Sequence, residues 1–201
     1  MPRAFSDHEK ETIREQMHNQ ARKLFELHGL RKTTVEEIAS TAGISKGAFY
    51  IFYDSKEELY LQILERIEQD IQSSIMEIAV LPNENTHENI KSLLRSFLLT
   101  MDAYPILKKI NQAEIDYLVR KIPTERVLQH INNDEEFTRR FITKIMSEGI
   151  QVSASPRIVA NLIKSLFFVS LYREDIGEEE YNELGDVLIN LVAGHISGKF
   201  Q

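Results

Sequence analysis

The stretch that most constrains the fold of this chain is residues 33–58, TTVEEIASTAGISKGAFYIFYDSKEE. Two short helical patterns lie in it, and the first has an apolar face at i, i+3, i+4 spacing. Gly43 ends this first pattern, because glycine readily takes the left-handed conformation that closes a helix. Ser45 is placed to cap the second pattern, which covers residues 46–53. Two helices around a short, glycine-containing turn predict a helix-turn-helix motif.

The second of these helices is too short to be stable alone, so it must pack against its neighbours. Phe49 and Phe52 are three residues apart, and we expect both to face inward. The opposite edge of the helix carries small residues, one cation and one phenol hydroxyl. A helix with such an edge can enter the major groove of DNA. This edge consists of Lys46, Gly47, Ala48, Tyr50 and Ile51. Ser55 and Glu58 then form a capping box for a long following helix.

The run TTVEEIASTAGISKGAFYIFYDSKEEL resembles the DNA-binding domain of the TetR family of bacterial transcriptional regulators, over roughly residues 8–65. The most specific parts are AGISKGAFY, the aromatic pair Phe52-Tyr53 and SKEEL. The resemblance implies a homodimeric, all-helical regulator with a small-molecule pocket in the remainder. It also implies that DNA is contacted by Thr33, Thr34, Ser45, Lys46, Gly47, Ala48, Tyr50, Ile51 and Lys56. Among these, the resemblance assigns phosphate contacts to Thr33, Thr34 and Lys56.

Two residues depart from what this role favours. Ile51 occupies a place that the family often fills with histidine or another polar or aromatic residue, and it cannot hydrogen-bond a base edge. It can still contact a thymine methyl group. Glu36 is an acid close to the expected position of the phosphates, which it would repel.

The charge distribution is consistent with a nucleic-acid contact at one end of the chain. The net charge of the 201 residues is −7, but residues 1–56 hold nine basic against eight acidic residues and the remainder carries −8. The acidity therefore lies outside the motif. Because residues 1–56 carry only +1, attraction to DNA depends on where their basic side chains are placed. We expect Arg3, Arg31, Lys32, Lys46 and Lys56 to lie near one surface, although for each of them an ordinary solvated position is the alternative.

Several functional classes are disfavoured. The chain has no cysteine, so disulfides and thiolate catalysis are excluded. No apolar run reaches membrane-spanning length and the N-terminus has no signal-peptide core, so we expect a cytoplasmic protein with no membrane partner. Hydrolase, phosphate-loop and zinc-protease motifs are absent, and the six histidines lack metal-ligand spacing. We therefore predict no enzyme activity, no cofactor and no metal.

The whole chain has helical patterning, with no strand-like alternation. The predicted fold is all-α with about nine helices: a three-helix helix-turn-helix domain, residues 1–65, joined by a long helix to a helical bundle, residues 66–201. Breaks are expected at a linker over 81–86, at Pro105 and Pro123, and at an Asn132-Asn133 turn. The predicted helices are about 7–28, 35–41, 46–53, 56–80, 87–104, 106–120, 123–131, 134–148, 156–172 and 179–198.

The last two helices predict a dimer. The helix over 156–172 is apolar nearly all round, which indicates burial on more than one side. Pairing both terminal helices across a two-fold axis makes a four-helix bundle that covers these faces. The residues predicted for the interface are Leu162, Leu166, Val169, Leu184, Leu188, Leu191 and His195.

A ligand pocket is expected among the aromatic and aliphatic residues of the same region, mainly apolar with a few polar tips. Packing in the core without a ligand is the alternative for each of them. The candidates are Phe97, Met101, Tyr104, Tyr117, Phe141, Ile145, Phe168 and Tyr172.

The function predicted from these features is sequence-specific DNA binding by a dimeric repressor, released from an inverted-repeat operator by a small apolar effector. The partners are thus double-stranded DNA, an effector and a second copy of the chain. One alternative is an activator or a regulator without a ligand. The other is a helical small-molecule-binding protein or enzyme that keeps a vestigial motif.

Overall fold

The computed structural model describes residues 5–77 and 85–199, and within these ranges its regular structure is helical throughout. The predicted all-α fold class is therefore confirmed. The α-helices are α1 Asp7–Lys32, α2 Val35–Thr41, α3 Lys46–Phe49, α4 Lys56–Glu77, α5 Thr86–Asp102, α6 Gln112–Lys121, α7 Thr124–Ser147, α8 Pro156–Ser170, α9 Arg173–Ile176 and α10 Glu178–Ile196. A single 3-10 turn, Leu107–Lys109, precedes α6.

Helix starts follow the capping residues that the sequence indicates. The Ser6 hydroxyl accepts a hydrogen bond from the Glu9 backbone N–H, and the Glu9 carboxylate accepts one from the Ser6 N–H at 2.7 Å. Ser155 caps α8 in the same way, with Pro156 at the first helical position. These bonds use backbone donors that would otherwise lack partners, which is why the boundaries can be predicted locally.

Three predicted helix boundaries are wrong. The helix predicted over 106–120 begins only at Gln112, after the 3-10 turn Leu107–Lys109. The α-helical part of α3 ends at Phe49 rather than at residue 53, because Ile51 and Phe52 donate to carbonyls only three residues back and form turns. The predicted break at Asn132-Asn133 lies inside α7, which runs unbroken from Thr124 to Ser147. Asparagine lowers helix propensity only slightly, so an amphipathic helix can continue through it. The predictions for Arg3 and for residues 78–84 lie outside the described residues.

Contacts within the chain divide it into two compact units, each described by itself. The first unit comprises Met1–Glu68 and Pro105–Ile122, and it holds α1, α2, α3, the beginning of α4 and α6. Its largest fully buried side chains are Met17, Phe25, Leu30, Thr33, Ile38, Phe49, Leu59, Ile63, Ile67 and Ile106. The division into units is based on contacts within the chain. The predicted boundary between two domains near residue 65 stays a prediction.

The second unit comprises Gln69–Tyr104 and Pro123–Gln201. Within it α10 packs against α5 and α8, and α7 packs against α8. The buried core of this unit consists of Ile90, Leu93, Leu94, Ile142, Ile145, Ile150, Val159, Leu166, Ile189, Val192, Ala193 and Ile196. Among the helices of residues 5–77 and 85–199, none combines the length and the apolar character that crossing a membrane requires.

Candidate nucleic-acid interface

The α2–turn–α3 element is built from local hydrogen bonds. Thr34 and Glu37 form a reciprocal capping box at the start of α2. Gly43 has φ +72° and makes the turn, after which the Ile44 N–H donates to the Ala39 carbonyl at 2.9 Å. Ser45 then caps α3 by accepting the Ala48 N–H at 3.1 Å. The predicted turn and the predicted Ser45 cap are therefore present, and the structure adds the Thr34 cap.

Phe49 anchors α3 to the first unit. Its side chain is fully buried and its ring lies 5.8 Å from the Tyr53 ring and edge-on to Tyr50 at 5.4 Å. Phe52 is only half-buried, with its ring 6.0 Å from Phe5 and beneath the Arg14 guanidinium. One aromatic side chain, rather than the predicted two, therefore fixes α3 from the inside.

The other side of α3 is open. Tyr50 is 50% exposed and Ile51 is 61% exposed, so two large side chains lie side by side in the sequence and both face the solvent. Lys46, Gly47 and Ser45 are also exposed, and Ala48 is half-buried. The structure therefore places the predicted groove-facing residues of α3 on one accessible surface, with Thr34 exposed at the start of α2.

The exposed ammonium of Lys46 pairs with the carboxylate of Glu36 on α2. The two residues lie ten positions apart, and both side chains are more than half exposed. The hydrogen bond from Lys46 lowers the pKa of Glu36, and the same bond raises the pKa of Lys46. Both groups therefore carry their full charges at neutral pH.

Thr33 and Lys56 have a different role from the phosphate contacts that the resemblance implies. Thr33 is fully buried and its hydroxyl donates to the Gly29 carbonyl at 2.9 Å. The Lys56 ammonium donates to the carbonyls of Leu30 at 2.8 Å, Arg31 at 3.2 Å and Thr33 at 2.6 Å. An ammonium has three N–H donors, so these carbonyls occupy all of them. Burial lowers the pKa of Lys56.

The carbonyls that Lys56 holds belong to residues 29–34, which we call the α1–α2 turn because the helical φ/ψ of α1 are interrupted at Gly29, before α1 ends at Lys32. Gly29 opens this turn with φ +75°, and a Cβ added there would lie 2.8 Å from the Glu114 Oε1 atom. Glu114 of α6 accepts the Leu30 N–H at 3.1 Å. The turn is therefore held from α4 through its carbonyls and from α6 through an amide.

A second contact joins α6 to the start of α4. The Tyr117 hydroxyl donates to the Glu57 carboxylate at 2.6 Å, and this bond raises the pKa of Tyr117. The Arg31 guanidinium lies 6.0 Å from the centre of the Tyr117 ring. Tyr117 thus has partners within the first unit, whereas the other predicted pocket residues belong to the second unit. Sequence reasoning missed this arrangement, because no local pattern links residues that are 60 or more positions apart.

The predicted pocket residues of the second unit fall into two groups. Phe97, Met101, Tyr104 and Phe141 are half-buried, and Ile145 belongs to the buried core. Phe168 is 54% exposed and Tyr172 is 46% exposed, so both lie on the surface of the unit.

The first unit has a cleft of about 500 Å³, which is lined by His28, Arg31, Lys32, Asn111, Ala113 and Glu114. Most of these side chains are polar or charged, so the cleft does not match the predicted apolar pocket.

The predicted interface residues also divide by burial. Leu166 is buried in the core of its own unit, with Leu162 and Leu188 packed against that core. Leu191 is 52% exposed, and His195 is exposed one turn further along α10. The exposed large apolar residues of α8, of the segment directly after it and of α10, which we call the terminal-helix face, are Ile158, Phe168, Tyr172, Val187 and Leu191.

A helix-turn-helix in an all-helical chain with an exposed face on the second helix defines a class of DNA-binding proteins. Residues 19–63 match the family model described as "Bacterial regulatory proteins, tetR family". The chain is 26% identical over 156 residues to the transcriptional regulator YhgD of Bacillus subtilis, covering 76% of this chain and 78% of that protein. It is 34% identical over 96 residues to the transcriptional repressor KstR2 of Rhodococcus jostii, but there the match covers 48% of this chain and 47% of the relative.

Solved structures share the fold over nearly the whole chain. A TetR-family transcriptional regulator from Pectobacterium atrosepticum aligns with TM-score 0.65 at 19% identity, covering 94% of this chain and 93% of that one. FadR of Thermus thermophilus, a TetR-family repressor in complex with lauroyl-CoA, aligns with TM-score 0.59 at 16% identity, covering 90% and 94%. Residues 19–63 thus carry the helix-turn-helix of the TetR family, and the fold of the chain is the one that TetR-family regulators share.

Proposed function

We propose that this protein is a cytoplasmic homodimeric repressor that binds an inverted-repeat operator and is released from it by a small apolar effector. The observation that carries the proposal is the exposed face of α3, held in place by the buried Phe49. We propose that its DNA contacts are made by Thr34, Ser45, Lys46, Gly47, Ala48, Tyr50 and Ile51. Thr33 and Lys56 are left out, because their polar groups already have partners inside the protein.

Each proposed contact has a chemistry that duplex DNA can use. The Lys46 ammonium suits a guanine acceptor or a phosphate, and the Tyr50 hydroxyl suits a phosphate or a base edge. The Ile51 side chain suits a thymine methyl group, and the absence of a side chain at Gly47 allows the backbone to approach closely. Two such faces related by a two-fold axis would read half-sites about 34–36 Å apart or a multiple of it.

The proposed dimer forms through the terminal-helix face of each copy. Leu184, Val187, Leu191 and His195 are spaced by three or four residues on α10, so they share one side of the helix. Several large apolar side chains exposed on two helices that pack together favour an interface. A second copy of the chain, placed by a two-fold axis, presents the same face and would cover it.

Oligomeric state tests this part of the proposal. By light scattering after size exclusion, we expect twice the chain mass for the wild type and a single chain mass for Leu191→Glu, which places a charge in the apolar contact. Leu99→Glu is the matched control, because Leu99 is 70% exposed on α5 and lies outside the terminal-helix face. A single chain mass for the wild type would contradict the proposed dimer.

The effector is proposed to bind in the second unit beside the half-buried Phe97, Met101, Tyr104 and Phe141. Acyl chains are the first chemical class to test, because the fold of this chain is shared with a FadR protein in complex with lauroyl-CoA. At a hundredfold excess over its dissociation constant, a ligand stabilises the folded protein by about 2.7 kcal/mol. We therefore expect a clear rise in thermal midpoint with lauroyl-CoA or a free fatty acid.

A variant pair locates the effector. Phe97→Trp adds volume beside the proposed pocket and should abolish the thermal shift, whereas Leu99→Trp, exposed on the same helix, should keep it. Loss of the shift in both variants, or in neither, would contradict a pocket at Phe97.

Release from DNA requires that the pocket and the first unit are coupled. We propose a route through α4, which contributes residues to both units and whose start is held by Tyr117 of α6. A shift of α4 would change the separation of the two α3 faces in the dimer. A coupling free energy of about 1–3 kcal/mol is sufficient for a regulatory switch.

The decisive experiment is a footprint of the protein on the DNA upstream of its own gene. We expect protection of an inverted repeat that overlaps the promoter, with protection lost in Tyr50→Ala and on addition of the effector. Protection upstream of an unobstructed promoter would instead favour an activator. No protection and no gel shift with any upstream DNA would contradict the proposed function.

A further inference from the structure

The Glu36–Lys46 ion pair lies on the surface proposed to meet DNA. Glu36 is in the first turn of α2 and Lys46 is the first residue of α3, so the pair joins the two helices of the motif. Lys46 is the one basic residue between positions 33 and 55 of the sequence. Its only partner among the described side chains is a carboxylate that itself faces the solvent.

This pairing has an electrostatic consequence for binding to any DNA. Binding to phosphates releases condensed counterions in proportion to the number of cations that neutralise them. A lysine held by a carboxylate contributes little to that number, and the carboxylate also repels the phosphates. Since residues 1–56 carry a net charge of only +1, one cation is a large share of the attraction available to the motif.

The ion pair reduces the attraction between the motif and the phosphates of any DNA. An operator can offset this reduction through base contacts, which DNA of unrelated sequence does not provide. A base acceptor in the groove gives the Lys46 ammonium a second partner with defined geometry. Tyr50 and Ile51, both exposed beside it, add contacts that depend on the sequence being correct. The ion pair therefore weakens binding to unrelated DNA more than it weakens binding to the operator.

We propose that Glu36 is a specificity-determining residue, which holds Lys46 away from phosphates and so suppresses the binding of this protein to DNA of unrelated sequence. The inference rests on the proposed DNA-binding function and adds a role for a residue outside the predicted contact set. It also gives a reason for the acid that the sequence places, unexpectedly, on this surface.

The test compares salt dependence on two duplexes of equal length, the operator and a scrambled sequence of the same composition. We expect Glu36→Gln to tighten binding to the scrambled duplex about fivefold at 0.15 M salt and to steepen its log–log salt slope by about one, as for one added phosphate contact. Operator affinity should rise less, so that the ratio of the two affinities falls. Fluorescence anisotropy between 0.05 and 0.3 M KCl measures both quantities.

Two controls separate the proposed role from a general effect of charge. Asp54→Asn removes another exposed carboxylate, in the segment that follows α3, and should leave the salt slope unchanged. In a Lys46→Met background, Glu36→Gln should change the slope by much less than one, because there is no ammonium to release. Thermal unfolding is measured alongside, since Glu36 also lies in the favourable first turn of α2.

The outcomes distinguish this inference from the proposed function. If the wild type binds its operator selectively and Glu36→Gln leaves the scrambled-duplex slope unchanged, the inference is overturned while the proposed function stands. An equal effect of Glu36→Gln with and without Lys46 would overturn it too, because the carboxylate would then act alone. If the wild type binds no DNA, the proposed function itself is contradicted and the inference with it.

Discussion

Lys46 and Lys56 lie ten residues apart and the sequence predicts a DNA contact for both, but the fold uses them differently. The Lys46 ammonium is exposed and pairs with the carboxylate of Glu36 on the surface of the motif. The Lys56 ammonium is half-buried and donates to three backbone carbonyls of the α1–α2 turn. Lys46 is accessible to a partner outside the protein, whereas the ammonium of Lys56 is used in hydrogen bonds within it.

The difference shows that a cation next to a DNA-binding motif has to be judged by its partners. A carbonyl buried without a donor destabilises the fold, so the part-buried carbonyls of Leu30 and Thr33 can retain an ammonium that would otherwise be solvated. A surface ion pair contributes little to stability, because both of its charges are solvated. Four substitutions can break or sharpen this comparison, and they follow from the largest expected change in stability to the smallest.

Lys56→Met should lower the free energy of unfolding by about 2–3 kcal/mol, because the carbonyls of Leu30 and Thr33 lose a charged donor. Urea unfolding followed by circular dichroism measures the change. Lys46→Met is the matched control, since it removes a lysine of the same length from the exposed side of the motif. If Lys56→Met were as stable as the wild type, the three hydrogen bonds would not matter for folding.

Gly29→Ala should lower the free energy of unfolding by about 1–2 kcal/mol. The residue has φ +75°, and the new Cβ would meet the Glu114 carboxylate at 2.8 Å. Gly43→Ala is a close control, because Gly43 has φ +72° and a Cβ added there would have no neighbour within 4 Å. A larger loss at Gly29 than at Gly43 would isolate the contact with Glu114, and equal losses would argue that φ alone matters.

Glu114→Gln should lower the free energy of unfolding by about 1 kcal/mol, because the Leu30 N–H exchanges a charged acceptor for a neutral one. Asp116→Asn on the same helix is the control, as its carboxylate is exposed and accepts from Gln112 within α6. Hydrogen exchange of the Leu30 amide provides a second readout. Unchanged protection at Leu30 would mean that α6 does not hold the turn.

Lys46→Met should leave the unfolding midpoint unchanged and lower operator affinity severalfold, because the partner of its ammonium within the described residues is the exposed Glu36. Anisotropy titrations at one fixed salt concentration measure the loss. Arg22→Met, on α1 and paired with Glu26, controls for removing a cation from the same unit. A drop in stability for Lys46→Met comparable with that of Lys56→Met would remove the distinction between the two lysines.

Much of the fold could be predicted because it depends on local chemistry. Capping by Ser6, Thr34, Ser45 and Ser155 joins groups that are three residues apart, and a pattern in the sequence exposes such pairs. The left-handed turn at Gly43 follows from the absence of a side chain. The Asn132-Asn133 turn failed as a prediction, because a weak local preference yields to a long amphipathic helix that continues through it.

The sequence by itself determined the helices, the helix-turn-helix and the set of residues on the outer side of α3, since each depends on neighbours within a turn or two. Tertiary structure alone decided which polar groups of the motif are used inside the protein. Lys56 and Thr33 bond to backbone carbonyls, Lys46 is held by Glu36, and α6 reaches the α1–α2 turn from more than 80 residues away. The physical reason is that a hydrogen bond or an ion pair forms between groups that are close in space, and spacing along the chain does not encode that distance.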